Sequence, residues 1–531
     1  MRKGIQILVS TLLSLTLLAG CGTQPSTESS ATPEASASTS ASASASASES
    51  AAPASEAPLK IRMIEMGGPK TVDSVVEKEI EKRYNVDLDI VFMPAWDEMA
   101  VKTNLLMSDP ATMPDVIQFT GMDKEFAEWK EAGLIVDLQP YLKENGKEIL
   151  SYYSKETLFY SYEDGHIFKL PGDVAEASSG TIVMRGDWLK KLGLPAPKTT
   201  DEFRNTMLAF TNDDPDGNGV KDTYGLGNIG MVYAAFKTNP DGFLIGDDGK
   251  VGYGAIMPGM RDALAYLHDL YAAGAIDPSL FTGNDWQKEI ERWTGGKVGC
   301  MSHGIHHFNP ASSLNKAFYA NNAGAEMISV DPITGPGGFA ATDVQDVGGW
   351  CHIAVTTNAK DPARVVAFLN ELCKPEGFAL YKFGIEGTHY EIKDGVFNPL
   401  MGQDELNAQG VNLLSWYLER KDGANIQNTT QVVDMFKRNL ELSKPMRDIT
   451  VIFKDKNRPV WSEYAGDLTT LRDTVVQDII LGNKDITAFD AFVTQWLAQG
   501  GDKVLEEANA LYQRQLEDLA GFDAAYESLV K

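Results

Sequence analysis

The sequence predicts an α/β protein of two lobes, each a mainly parallel sheet flanked by helices. Three observations carry this reading. The segments Leu59-Lys60-Ile61-Arg62-Met63, Val86-Asp87-Leu88-Asp89-Ile90 and Asp115-Val116-Ile117-Gln118-Phe119 alternate or run apolar over strand lengths. A helical pattern with Val72, Val75, Val76 and Ile80 on one face separates the first two. A helix between successive strands demands crossover connections, and crossovers make parallel pairs. Finally, about 470 residues follow residue 58, more than one hydrophobic core usually supports. Strand-like sequence returns far along the chain, as in Cys351-His352-Ile353-Ala354-Val355, so the chain is expected to cross between lobes more than once.

The elements follow in order. Arg2 and Lys3 precede an apolar stretch from Ile5 to Leu18 and the run Leu18-Ala19-Gly20-Cys21, which reads as an export signal over residues 1–20. The stretch is shorter than the ~20 residues a spanning helix needs. The cysteine at the break resembles the lipobox of bacterial lipoproteins. That resemblance implies a diacylated Cys21 as the mature N-terminus, and so a lipid anchor on the outer face of a membrane. From Gly22 to about Pro58 the chain is nearly all Ser, Ala, Thr, Pro and Glu, including the alternation Ala35 to Ser48. Such a segment has too little apolar surface to offset the entropy of folding, so residues 21–58 are read as a disordered linker.

Further helices are marked by their caps. Thr199 and Glu202 have capping-box spacing ahead of Phe203, Met207 and Phe210. Asp361 and Pro362 start a helix that turns Val365, Phe368, Leu369 and Leu372 inward. The last sixty residues read as helical, from Leu468 to Val476 and on to Gln515. No tandem repeat is visible. The formal net charge of −27 argues against nucleic acid and anionic membrane surfaces as partners. Apart from Cys21, only Cys300, Cys351 and Cys373 are present, without CxxC spacing, so neither a disulfide framework nor a zinc site is expected. Three buried free thiols are the expectation, with a single bridge as the alternative.

Several landmarks occur in a fixed order. They are Met113-Pro114-Asp115-Val116-Ile117, Asp164-Gly165-His166-Ile167-Phe168-Lys169-Leu170-Pro171, and Arg185-Gly186-Asp187-Trp188-Leu189 with Leu192-Gly193-Leu194-Pro195. Gly295-Gly296-Lys297-Val298-Gly299 and Gly384-Ile385-Glu386-Gly387-Thr388-His389-Tyr390 follow. Each is weak alone. Together, from Leu59 to about Gln515, they resemble the extracellular solute-binding lipoproteins of Gram-positive carbohydrate ABC importers, the family 1 solute-binding proteins akin to maltodextrin-binding protein. The resemblance implies the two-lobed type II periplasmic-binding-protein-like fold, a hinge that closes on an oligosaccharide, recognition of the closed form by permease subunits, and a monomer. By analogy, one lobe is expected over residues 59–175 plus 350–408 and the other over 176–349 plus 409–531.

The sharpest local motif is Asp214-Pro215-Asp216-Gly217-Asn218-Gly219-Val220-Lys221-Asp222. Oxygen-bearing side chains at positions 1, 3, 5 and 9, a glycine at 6 and a carbonyl at 7 (Val220) reproduce most of an EF-hand loop. Position 12 is Gly225 instead of the bidentate glutamate. In the family an acidic residue just after the ninth position often closes the sphere, and here that place holds Thr223. The expectation is a structural Ca2+ held by Asp214, Asp216, Asn218, Val220, Asp222 and Thr223, against a metal-free turn as the alternative.

Sugar sites pair aromatic faces with planar hydrogen-bonding groups. Trp96 lies after the second strand, and Phe119 and Thr120 end the third, where strand ends of an α/β lobe face a cleft. Arg185 is placed near the cleft by the resemblance, Trp350 precedes a returning strand and Trp461 precedes the terminal helices. These six are the candidate ligand residues; Trp129, Trp188 and Trp496 sit at helical core positions. His303, His306 and His307 form an HxxHH cluster that reads as a solvated or ligand-lining loop, since no nearby carboxylate or cysteine completes a metal site. No GxSxG, HExxH or P-loop run is present, and no Asp or Glu stands in a recognisable catalytic setting. The leading expectation is therefore a binding protein without enzymatic activity. The rivals are a surface-anchored glycoside hydrolase or lyase, and a sensory or adhesive lipoprotein.

Overall fold

The computed structural model describes residues 57–531 except 68–69, 94–97, 173–179, 284–285, 311, 343–347, 350, 394–395, 421, 423–424, 428 and 454–456. Cys21 with its leader, most of the linker, Trp96 and Trp350 lie outside the described residues. Among the described residues, no helix is long and apolar enough to cross a membrane.

Strands β1 (Leu59–Glu65), β2 (Val86–Phe92) and β3 (Val116–Phe119) form where the alternation places them. The strands β4 (Leu170–Pro171), β5 (Gly180–Arg185), β6 (Tyr224–Leu226), β7 (Phe243–Ile245), β8 (Val251–Tyr253), β9 (Val298–Gly304), β10 (Met327–Val330), β11 (His352–Val355) and β12 (Thr450–Val451) follow along the chain. The first sheet has the order β2-β1-β3-β11-β4. β1 pairs in parallel with β2 and β3, whereas β11 runs antiparallel to β3 and β4.

The helix Val75–Tyr84 bridges β1 and β2, closed at its start by a capping box between Ser74 and Glu77. Val76 and Ile80 enter the core, but Val72 and Val75 are exposed because the helix begins only after Ser74. Asp361 caps Pro362–Cys373 and buries Val365, Phe368, Leu369 and Leu372, as its pattern requires. Thr199 caps Thr200–Asn212, but the Glu202 carboxylate accepts from Lys198 N–H (2.7 Å) instead of closing the box on Thr199.

The second sheet, order β10-β5-β9-β6, departs from the parallel expectation. Only β9 and β6 are parallel; β5 is antiparallel to both β9 and β10. The register explains this: β9 ends with Gly304 opposite Gly180, where β5 begins, so the chain returns toward its point of entry. A small sheet β8-β7-β12 lies beside it.

Two large cores result. One gathers Ile61, Val116, Ile353 and Leu369; the other Met184, Trp188, Phe203, Leu264 and Trp496. The expected lobe limits need correction at two places. Val411, Leu413, Leu414, Tyr417 and Leu418 pack in the first core, not the second. The terminal helix Asp502–Val530 serves both, with Val504, Ala508 and Leu511 in the second core and Phe522 and Leu529 in the first. Three apolar side chains at one end and two at the other fix a single rigid rod to both bodies. Cys300, Cys351 and Cys373 are buried free thiols, and burial pushes Cys373 up to about 12, so it packs as a small apolar side chain.

Candidate ligand cleft

The parallel strands β1 and β3 end side by side, and their C-terminal ends are tied to the segment 412–418. Glu65, the last residue of β1, is wholly buried. Its Oε1 accepts from Ser415 N–H (3.1 Å) and from the Lys70 ammonium (3.0 Å). Lys70 also donates to Ser415 Oγ (2.7 Å), to Leu413 O (3.3 Å) and to Asn412 O. Gln118 of β3 accepts from Met66 N–H (2.8 Å) and donates to Ser415 O (2.8 Å). Burial raises the Glu65 carboxyl against the pull of Lys70, and burial lowers Lys70 against the pull of Glu65. Gly67 permits this knot: a Cβ there would lie 2.5 Å from Glu65 Oε1 and 2.8 Å from Ser415 Oγ.

The knot holds strained backbone. Asn412, Trp416 and Leu418 have φ of 61°, 58° and 52°, the left-handed region that non-glycine residues seldom adopt. The consequence is a half-buried Trp416 at the strand ends, packed on the group that includes Met66, Met93 and Phe119. Tyr417, by contrast, turns into the first core and donates from its hydroxyl to Ile64 O.

The second body presents an arginine. Arg458 precedes the helix Pro459–Ile480, and its guanidinium carbon lies 4.9 Å from the ring centre of Phe453, 5.1 Å from Phe243 and 5.4 Å from Trp461. Its Nε and Nη1 are buried with no hydrogen-bond partner. The nearby Glu507 carboxylate is already engaged by the N–H groups of Val460 and Trp461, at 2.9 Å each. Burial lowers the Arg458 pKa; Glu507, Asp123 and Tyr253 oppose that shift. Asp123 opens the helix that follows β3, so the arginine stands within electrostatic reach of the first sheet's edge. A groove between the two bodies is lined by Glu163 and Asp164 on one side and by Phe453, Leu511, Arg514 and Asp518 on the other. A cation with unused donors, framed by aromatic rings, is suited to holding hydroxyl or carboxylate oxygens.

The residues expected from sequence divide clearly. Phe119 is core: β3 lies between β1 and β11, and the Phe119 ring stacks on Phe126 with centroids 4.9 Å apart. Thr120 is half-buried just beyond it. Arg185 is buried and engaged within the second body. It ends β5, and its guanidinium is spent on Asp187 (2.9 and 2.7 Å) and Asn322 (3.3 Å), stacked 4.5 Å from Trp188. Trp461 is half-buried, edge-on to Phe243 at 5.4 Å and beside Arg458. Trp129, Trp188 and Trp496 are core residues.

Sequence reasoning missed Trp416 and Arg458. Trp416 hides in the apolar run Leu413–Leu418, and a left-handed φ leaves no mark on composition. Arg458 did leave a signal, because a cation at a helix N-terminus opposes the helix dipole and needs a reason to be there.

The oxygen-rich loop is held by its own hydrogen bonds. Asp214 accepts from Gly217 and Gly219 N–H (3.1 and 3.2 Å), and Asn218 Nδ2 bridges Asp216 (2.7 Å) and Asp222 (3.1 Å). Lys297 and then Asn218 hold Asp222 below the usual carboxylate range. Asn218 thus links two carboxylates, while the third, Asp214, is engaged by backbone N–H groups; side chains of this oxygen-bearing kind are those a hard cation takes. Thr223 does not join them: it is buried and its hydroxyl donates to Phe210 O (2.9 Å), on the helix side.

Residues 65–377 match the family described as bacterial extracellular solute-binding protein. Lipoprotein LipO of Bacillus subtilis is 25% identical over 459 residues, covering 82% of this chain and 88% of LipO. The polygalacturonan/rhamnogalacturonan-binding protein YtcQ of Bacillus subtilis is 25% identical over 453 residues, with 82% and 88% covered. Among solved structures, the EF-hand mutant of the S. pneumoniae ABC-transporter substrate-binding protein FusA in complex with fructo-nystose is similar in fold. It has a TM-score of 0.64 at 20% identity, covering 86% of this chain and 100% of that one.

Proposed function

The chain belongs to the bacterial extracellular solute-binding protein family, and on that premise we propose that it captures an oligosaccharide between its two bodies and delivers it to an ABC permease. Its role is binding, not catalysis. The observation that carries this reading is the set of unpartnered Arg458 donors framed by aromatic rings on the second body, with a half-buried Trp416 at the strand ends of the first. The tryptophan supplies a face for the C–H patches of a sugar ring, and the arginine supplies donors for its oxygens. Thr120, Trp461 and the two tryptophans outside the described residues, Trp96 and Trp350, complete the proposed site. Phe119 and Arg185 do not belong to it.

YtcQ is named for pectic polymers and the FusA structure for a fructooligosaccharide, so both ligand classes belong in a first screen. In calorimetry with kestose and with oligogalacturonides, at least one is expected to bind one-to-one without forming products. Hydrolysis or elimination at enzymatic rates would overturn the reading.

The remaining features fit delivery at a membrane. Cys21 is the proposed lipid attachment site, keeping a monomeric receptor beside its permease. The terminal helix spanning both cores is the proposed hinge strap, because closure must bend or pivot a rod anchored at both ends. The loop of Asp214, Asp216, Asn218 and Asp222, with the Val220 carbonyl, is the proposed structural Ca2+ site, and the FusA relative carries an EF-hand by its description. Chelation of Ca2+ is expected to lower the melting temperature by about 2–4 °C. Asp216→Ala should lower it similarly and abolish any further response to chelator. A chelator response that persists in Asp216→Ala would place the metal elsewhere.

A further inference from the structure

We propose that His303, His306 and His307 form a three-imidazole site for a borderline divalent cation of the Zn2+ class, separate from both the sugar cleft residues and the oxygen-rich loop. β9 ends at Gly304, and a single 3-10 turn, Ile305–Phe308, folds the next two histidines back over His303. One ring nitrogen from each of the three lies within 4.8 Å of the others. His307 Nε2 is 2.5 Å from His303 Nδ1, and the three ring centroids are 4.3, 5.1 and 5.4 Å apart. His307 is wholly buried, and its Nδ1 has no hydrogen-bond partner.

The surroundings hold this arrangement in place. Asn315 Nδ2 donates to His307 O (2.7 Å), and the Trp293 ring stands edge-on to His307 at 6.4 Å. Ile305, between the histidines, packs on Val432 and Phe436. Gly304 makes room for the His306 ring: a Cβ there would sit 2.1 Å from His306 Cε1 and 2.2 Å from its Nδ1. The chain thus omits a side chain to bring the third imidazole in.

The chemistry of the donors selects the ion. A neutral imidazole carries a lone pair on one ring nitrogen, and three such rings lie together here. Hard cations such as Ca2+ and Mg2+ require oxygen donors and are excluded, whereas neutral imidazoles suit Zn2+, Ni2+ and Cu2+. Metal–nitrogen bonds of about 2.0–2.1 Å put paired nitrogens roughly 3.4 Å apart in a tetrahedron. The observed spread of 2.5 to 4.8 Å brackets that value, so small ring rotations reach it. Three protein donors leave one position for water or another ligand.

The test is a Zn2+ titration of the full chain by calorimetry, with millimolar Ca2+ present to saturate the oxygen-rich loop. One Zn2+ per chain is expected, and Co2+ should give the intense visible absorption of a tetrahedral nitrogen-rich site. His306→Ala changes the half-exposed member and spares the buried pair. It should weaken Zn2+ binding by about 100-fold or more while leaving the metal-free melting temperature near that of the parent. His307→Gln serves as the second variant, and His166→Ala, on the exposed hairpin, should bind as the parent does. No stoichiometric Zn2+ uptake by the parent chain, or an affinity unchanged in both His306→Ala and His307→Gln, would overturn the site.

Discussion

Replacing Lys70 with alanine is expected to destabilise the protein by about 3–5 kcal/mol, because it strands a buried carboxylate. Glu65 is wholly buried, and its one described counter-charge is the Lys70 ammonium, itself 13% exposed. The same ammonium binds the backbone of Asn412 and Leu413, so its loss also frees the strained segment that carries Trp416. The pH dependence has a definite sign. The folded-state pKa of Glu65 is raised above its unfolded value, so the folded protein holds more protons in the window above the ordinary glutamate range. Stability contributed by this group therefore falls as pH rises through that window. Removing Lys70 raises the folded pKa further, so the deficit of Lys70→Ala should be smallest in acid and grow toward neutrality. Denaturant melts at several pH values check this. The double variant Glu65→Gln/Lys70→Met should recover most of the loss, since it removes both charges together.

The second large effect concerns affinity. Trp416→Ala and Arg458→Ala are each expected to weaken oligosaccharide binding by about 2 kcal/mol or more, roughly thirtyfold in Kd. The two sit on different bodies, so their effects should add only in part if closure couples them. Arg185→Ala is the informative contrast. It breaks a bidentate pair with Asp187 and a stack on Trp188 deep in the second body, so it should lower stability and leave the affinity of the folded fraction unchanged. An Arg185→Ala variant that folds normally but loses ligand would return that residue to the site.

How much of this was legible follows from what each feature depends on. β1, β2 and β3 were readable because their burial alternates or saturates with sequence, and Asp361-Pro362 announced its helix through local capping chemistry. The Asp214–Asp222 loop was equally local: four successive two-residue spacings bring its oxygen-bearing residues into one turn. Long-range features were not readable. The antiparallel return of β9 onto β5, the packing of 411–418 in the first core and the sharing of the terminal helix all depend on contacts between residues far apart in sequence. Phe119 shows how a correct local reading can mislead. It does end a strand, but Phe126 and Trp129 of the helix that follows pack on its ring and close it into the core. Trp416 depends on a left-handed backbone imposed by Glu65 and Lys70, more than 340 residues away. The histidine cluster was visible as a spacing, yet only the turn after β9 reveals that it folds inward, not toward solvent.

The central claim is that ligand is held between two bodies that close upon it. Small-angle X-ray scattering of the full chain, with and without a saturating oligosaccharide chosen from the calorimetric screen, tests it most directly. The account predicts a smaller radius of gyration in the bound state, and loss of that compaction in Trp416→Ala at the same ligand concentration. A ligand that binds tightly one-to-one while leaving the radius of gyration unchanged would contradict it.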